Sequence, residues 1–126
     1  MLEVIDKGPA LESDKTPLLF VHGAWHGAWC WDEHFLDHFA ANGCRSLAVN
    51  VSKFVLEMLW LNLPLGAEDD IVFTQREVRA TAAAYHTEAE IYPRMAHDMM
   101  LEPGWAAVAE RIHAWLETRC PTTLPQ

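Results

Sequence analysis

The sequence predicts an α/β fold: a mostly parallel sheet of about four to five strands with helices on both faces. Three observations carry the prediction. Short apolar runs such as residues 17–22 read as strands buried on both faces. Segments with apolar residues at helical spacing lie between such runs. The two kinds alternate along the chain, which is the pattern of βαβ units. At 126 residues and 51% hydrophobic composition, one domain with one core is expected.

Residues 2–6 form a short β-prone run, and residues 7–16 are a loop carrying Gly8, Pro9, Ser13 and Asp14. Residues 17–22 make the next strand and end at Gly23. A helix is predicted over 31–41, because Trp31, Phe35, Leu36 and Phe39 share one face and Asn42-Gly43 supplies a stop. Residues 45–50 follow as a strand, which completes a βαβ unit. In the second half Leu59, Leu61, Leu63 and Leu65 alternate up to Gly66 as a strand would, although Pro64 removes one ladder donor. T-Q-R-E at 74–77 is a capping box that opens a helix through Val78, Ala82 and Tyr85, with His86 near its end. Residues 88–92 read as a strand. A last helix over 104–119 has Val108, Ile112, Trp115 and Leu116 on its core face.

The connection after Asn50 is too short for a parallel crossover, which needs about a dozen residues or more. Either residues 52–61 form a short apolar helix that makes the crossover, or a second copy completes the sheet. Phe54, Val55, Leu56, Met58, Leu59 and Trp60 need cover in both cases. A homodimer, intertwined or closely packed, is therefore expected.

The formal charge of −9 opposes binding to nucleic acid or an anionic membrane, since either needs clustered Lys or Arg. Cys30, Cys44 and Cys120 are odd in number and show no C-x-x-C spacing, which argues against a disulfide framework and a cysteine zinc site. Neither a secretory leader nor a membrane span is read from the sequence, so a cytoplasmic protein is expected. His22 and His26, like His34 and His38, are spaced i, i+4 beside Asp37, but H-E-x-x-H is absent and neither metal nor cofactor is expected.

F-V-H-G-A-W-H-G-A-W-C-W at 20–31 resembles the H-G-x-x-H-G-x-W-x-W motif of α/β-hydrolases related to plant methyl-ester hydrolases and hydroxynitrile lyases. The motif places Gly23 where a buried strand must turn sharply, so that backbone N–H groups point at a developing oxyanion. The resemblance implies an oxyanion donor at Ala24 N–H, with His22, Gly23 and Trp25 lining the substrate pocket. L-G-A-E-D-D-I-V at 65–72 resembles the acid segment of the same family in two registers, one selecting Asp70 and the other Asp69. The first matches more residues, Phe73 included. M-A-H-D-M-M-L-E-P-G-W at 95–105 resembles the segment carrying the family's catalytic histidine, which falls on His97. An acid beside that ring would hold its tautomer and stabilise the imidazolium.

The nucleophile elbow, G-x-S-x-G, is absent, and Ser13, Ser46 and Ser52 are the only serines. Ser52 follows a strand and is the candidate nucleophile, but Lys53 and Phe54 are bulky where the elbow needs small residues. A helix N-cap is its alternative role. The resemblance covers residues 17–50 and 63–119 and lacks the family's central portion. It implies a single truncated α/β-hydrolase-like domain over 1–126, with an oxyanion-loop half at 1–50 and an acid and histidine half at 57–119. The expected function is hydrolysis of small esters or related carbonyl compounds; the alternative is a non-catalytic dimeric module that binds a small ligand or a protein. If the dimer forms, light scattering at micromolar concentration should return twice the chain mass, and a stable monomer would count against it.

Overall fold

The computed structural model describes residues 3–9, 15–23, 25–50 and 63–119. The chain divides into two compact units, one built from Met1–Phe54 with Ala106–Gln126 and the other from Val55–Trp105. In chain order the elements are β1 (Val4–Lys7), β2 (Leu18–Val21), α1 (Trp29–Asp32), α2 (Phe35–Ala41), β3 (Ser46–Val49), β4 (Leu65–Ala67), α3 (Gln75–Ala84), β5 (Glu90–Tyr92) and α4 (Trp105–Arg119). No helix among the described residues is long and apolar enough to cross a membrane.

In the first unit the strands lie in the order β1-β3-β2. β2 pairs with β3 in parallel, with Leu18 opposite Ser46, and β1 pairs with β3 antiparallel, with Val4 opposite Val49. One face of this sheet packs on helices: Ile5 and Phe20 lie against a core of Ala28, Leu36 and Ala48. Phe20 packs in tilted pairs at 5.4 Å from Trp31 and 5.5 Å from Phe39, measured between ring centroids, and such pairs add to what area burial alone contributes. Asn50 joins the pieces from the end of β3. Its side-chain oxygen accepts from the buried Ala28 N–H at 2.7 Å, and its amide nitrogen donates to Glu3.

Helix α2 ends as Asn42-Gly43 predicts. Gly43 has φ +80°, its N–H donates to Ala40 O at 3.0 Å, and Cys44 N–H reaches back to Phe39 O at 2.9 Å. This paired pattern satisfies the last carbonyls of the helix and requires a residue at ease with positive φ.

In the second unit β4 and β5 form a separate two-stranded parallel sheet, with Gly66 opposite Ile91, and α3 connects them. A Cβ at Gly66 would stand 2.9 Å from Ile91 Cδ1 and 3.0 Å from Val78 Cγ2, so the glycine lets α3 approach the strand closely. The capping box is present: Thr74 N–H donates to the Glu77 carboxylate at 2.8 Å and Glu77 N–H donates to Thr74 Oγ1 at 3.4 Å.

The expected mostly parallel sheet of four to five strands, and with it the truncated hydrolase-like architecture, is overturned. The strands form a mixed three-stranded sheet and a parallel two-stranded one, with four helices among the described residues. Each βαβ segment closes its own parallel pair locally, and the strands are only three or four residues long. β2 occupies one edge of β3, leaving the other to β1, which runs the opposite way. There Arg45 donates from Nε to Asp6 Oδ1 at 3.0 Å and from its terminal nitrogen to the other oxygen. Among the described residues of the first unit, helices on both faces are not found either, since Leu19 is 62% exposed on the side away from α1 and α2, and Val4 and Val21 are exposed with it. The single helix expected over 31–41 is broken into α1 and α2 at Glu33-His34. Leu59 and Leu61 of the leucine alternation lie outside the described residues, and the strand starts at Leu65, after Pro64, which has no N–H to donate; the Pro64 carbonyl accepts from Glu90 N–H at 3.1 Å. The possible crossover helix at 52–61 lies outside the described residues.

Replacing Gly43 by alanine should isolate the cost of its positive φ, since no atom lies within 4 Å of the added Cβ. The expected loss of unfolding free energy is about 1 kcal/mol. Urea titration should show a lower midpoint with an unchanged m value.

Candidate functional site

The second unit assembles a histidine–carboxylate pair from two loops. Both loops leave the carboxyl ends of parallel strands, the edge at which such sheets expose functional side chains. Asp70 lies just beyond β4 and His97 follows β5. His97 Nδ1 stands 2.9 Å from Asp70 Oδ2. The other carboxylate oxygen accepts from Val72 N–H at 2.7 Å and Phe73 N–H at 3.0 Å. Asp70 therefore closes a turn on its own backbone while it holds the ring, and Thr74 starts α3 directly afterwards.

The Asp70 side chain is 7% exposed and that of His97 is 37% exposed. Burial pushes the Asp70 carboxyl up, but the bonds from His97, Phe73 and Val72 outweigh it and hold the group below the ordinary carboxylate range. An ionised carboxylate only accepts, so Nδ1 carries the proton and donates it, leaving the Nε2 lone pair available. Nε2 has no hydrogen-bond partner among the described residues. The Phe73 ring lies 5.5 Å from the imidazole, centroid to centroid, and with Ile71 and Val72 it forms an exposed apolar run beside the pair.

Backbone bonds stitch the two loops together. Glu68 N–H donates to Tyr92 O at 2.9 Å and Asp69 N–H donates to Met95 O at 2.8 Å. Two further acids grip the histidine loop: Glu68 Oε2 accepts from Arg94 N–H at 2.9 Å, and Glu102 Oε1 accepts from Ala96 N–H at 3.2 Å. The carboxylate that meets His97 is Asp70; Asp69 is exposed and contributes its backbone to the stitch. The sequence reading missed the contacts of Glu68 and Glu102. The only available signal was an acid at the strand end and another before Pro103, which alone marks a solvated turn.

The oxyanion-loop residues belong to the first unit. His22 Nδ1 lies 2.8 Å from Gly23 O, and His26 N–H donates to Gly23 O at 3.4 Å. The left-handed residue of this turn is Trp25, with φ +64° and 96% exposure. Gly23 has no positive φ and open space around its Cβ position, so the sharp turn expected to need it falls two residues later. Ala24 and Ser52 lie outside the described residues. Ser46, fully buried, donates to Cys44 O at 3.2 Å, and Cys30 and Cys44 are buried free thiols. Among the described residues no three His, Cys, Asp or Glu side chains gather as a metal site.

Comparison with family models finds no match, and neither the curated proteins nor the solved structures include a significant match to the chain.

A carboxyl whose acidity is strengthened by folding adds stability above its unfolded value, near 3.9, and loses it as the pH falls through the lower folded value. Urea midpoints measured from pH 5 down to about pH 2 should therefore fall more steeply for the native chain than for Asp70→Asn. Equal slopes would mean that Asp70 is not held ionised by its partners.

Proposed function

We propose that the chain is a hydrolase of small esters or related carbonyl compounds in which His97 acts as general base and Asp70 orients it. The observation that carries this reading is the 2.9 Å bond between His97 Nδ1 and a buried, triply hydrogen-bonded Asp70, which leaves the Nε2 lone pair available on a part-exposed ring. Two motif resemblances support it, because the segments at 65–72 and 95–105 point to Asp70 and His97 from the sequence.

The described serine and cysteines are buried, so water is the nucleophile that the described residues favour. Nε2 takes a proton from water as its oxygen attacks the substrate carbonyl carbon. Asp70 stabilises the imidazolium so formed. The same proton then passes to the leaving alkoxide as the carbon–oxygen bond breaks, which restores the neutral ring.

The second reading, a non-catalytic binding module that associates as a homodimer, has its own supporting observation. Ile71 is 93% exposed, and with Val72 and Phe73 it places an apolar rim beside a polar pair, which suits retention of a small carbonyl or carboxylate ligand without turnover.

A panel of p-nitrophenyl esters separates the two. The hydrolase reading expects saturable turnover that His97→Ala lowers by about 100-fold or more, the range for loss of a general base. Absence of turnover, with saturable binding of short carboxylates that His97→Ala weakens, would favour the binding module. Fluorophosphonate labelling at Ser52 would replace water by a covalent nucleophile.

A further inference from the structure

Arg94 has φ +55°, a left-handed conformation that side chains other than glycine resist. It sits on the only stretch of chain between β5 and His97, so its backbone direction decides where the histidine loop goes. The force that holds it there is visible. Its N–H donates to Glu68 Oε2 at 2.9 Å, and the Glu68 backbone is itself tied to β5 through the bond to Tyr92 O at 2.9 Å. Glu68 also stands two residues before Asp70. One residue thus clamps the loop that carries the base and the loop that carries its orienter, although its carboxylate touches neither His97 nor Asp70.

We propose that Glu68 is the positioning residue of the Asp70–His97 pair: its carboxylate holds Arg94 in the left-handed turn that delivers His97 Nδ1 to Asp70. This rests on the general-base reading of His97 for its effect on turnover, but the alignment itself exists whether or not the chain hydrolyses anything. Glu102, through its 3.2 Å bond from Ala96 N–H, supports the same loop from its other end and does not replace the clamp at Arg94. With the clamp released, Arg94 relaxes to negative φ, the loop shifts, and the ring reverts to the mixture of neutral tautomers that histidine adopts in water.

The test uses the full chain and reads the ring directly. The 15N chemical shifts of the His97 imidazole report which nitrogen carries the proton, so they follow the Asp70 bond without any need for activity. Glu68→Ala should move the ring from a single Nδ1–H tautomer to a mixture. Glu68→Gln, which keeps an acceptor oxygen, should preserve the native pattern. Arg94→Gly introduced into Glu68→Ala should restore most of it, because glycine accepts positive φ unaided. Where esters are turned over, Glu68→Ala should lower kcat about tenfold with little change in KM, as expected for a base out of place.

A native tautomer pattern in Glu68→Ala would overturn the proposal. So would a loss of the pattern that neither Glu68→Gln avoids nor Arg94→Gly reverses, since that would mark general unfolding. Absence of ester turnover in every variant, with the ring responding as described, would sink the hydrolase reading and leave the positioning role intact.

Discussion

The Asp70 carboxylate is the constraint on which the order of the second unit depends. Two backbone amides and one imidazole converge on it, and a carboxylate with this little exposure is stable as an anion only because all three donate. The bonds to Val72 and Phe73 bend the chain sharply after β4. That bend delivers Thr74 to the start of α3, where the reciprocal capping with Glu77 satisfies the first amides of the helix. The third bond reaches a residue 27 positions away and ties the histidine loop to the same point. Local turn, helix start and long-range contact thus share one charged group.

Such sharing explains how a sheet of two three-residue strands can present a defined pair of side chains. A two-stranded sheet is marginal by itself and needs packing to persist. Here α3 covers it closely because Gly66 has no side chain, and the loops beyond the strands are bonded to each other by Glu68, Asp69 and Arg94. Rigidity at the site comes from the loops as much as from the sheet. In the first unit the arrangement differs: an aromatic core around Phe20, Trp31, Phe35 and Phe39 carries the packing, and Asn50 supplies a part-buried acceptor that links β3 to the turn before α1.

The chemistry available to the pair follows from protonation. An ionised Asp70 makes Nδ1 the donor, which leaves the Nε2 lone pair available, and the exposed apolar residues 71–73 lie beside the ring. The same apolar run suits a substrate with a hydrocarbon portion or a bound ligand of that kind. Catalysis and binding part company only at the nucleophile. Among the described residues, Ser46, Cys30 and Cys44 are buried.

Much of this was written locally in the residues. T-Q-R-E at 74–77 specified a capping box, Asn42-Gly43 specified a helix stop, and both formed because their bonds span only a few positions. The fuller of two motif registers picked Asp70, and Asp70 rather than Asp69 meets His97. Strand direction and sheet membership were not legible. An apolar run looks the same whether its partner is parallel or antiparallel, and nothing in residues 2–6 records that β3 has one edge already taken by β2. The left-handed turns at Trp25 and Arg94 were equally hidden, because neither residue type favours positive φ, and at Arg94 the bond to Glu68 spans 26 positions. What the sequence determined alone were short-range elements, whose energies depend on near neighbours. What the tertiary structure decided were the pairings and strained turns, whose energies depend on groups brought together only after the chain has folded.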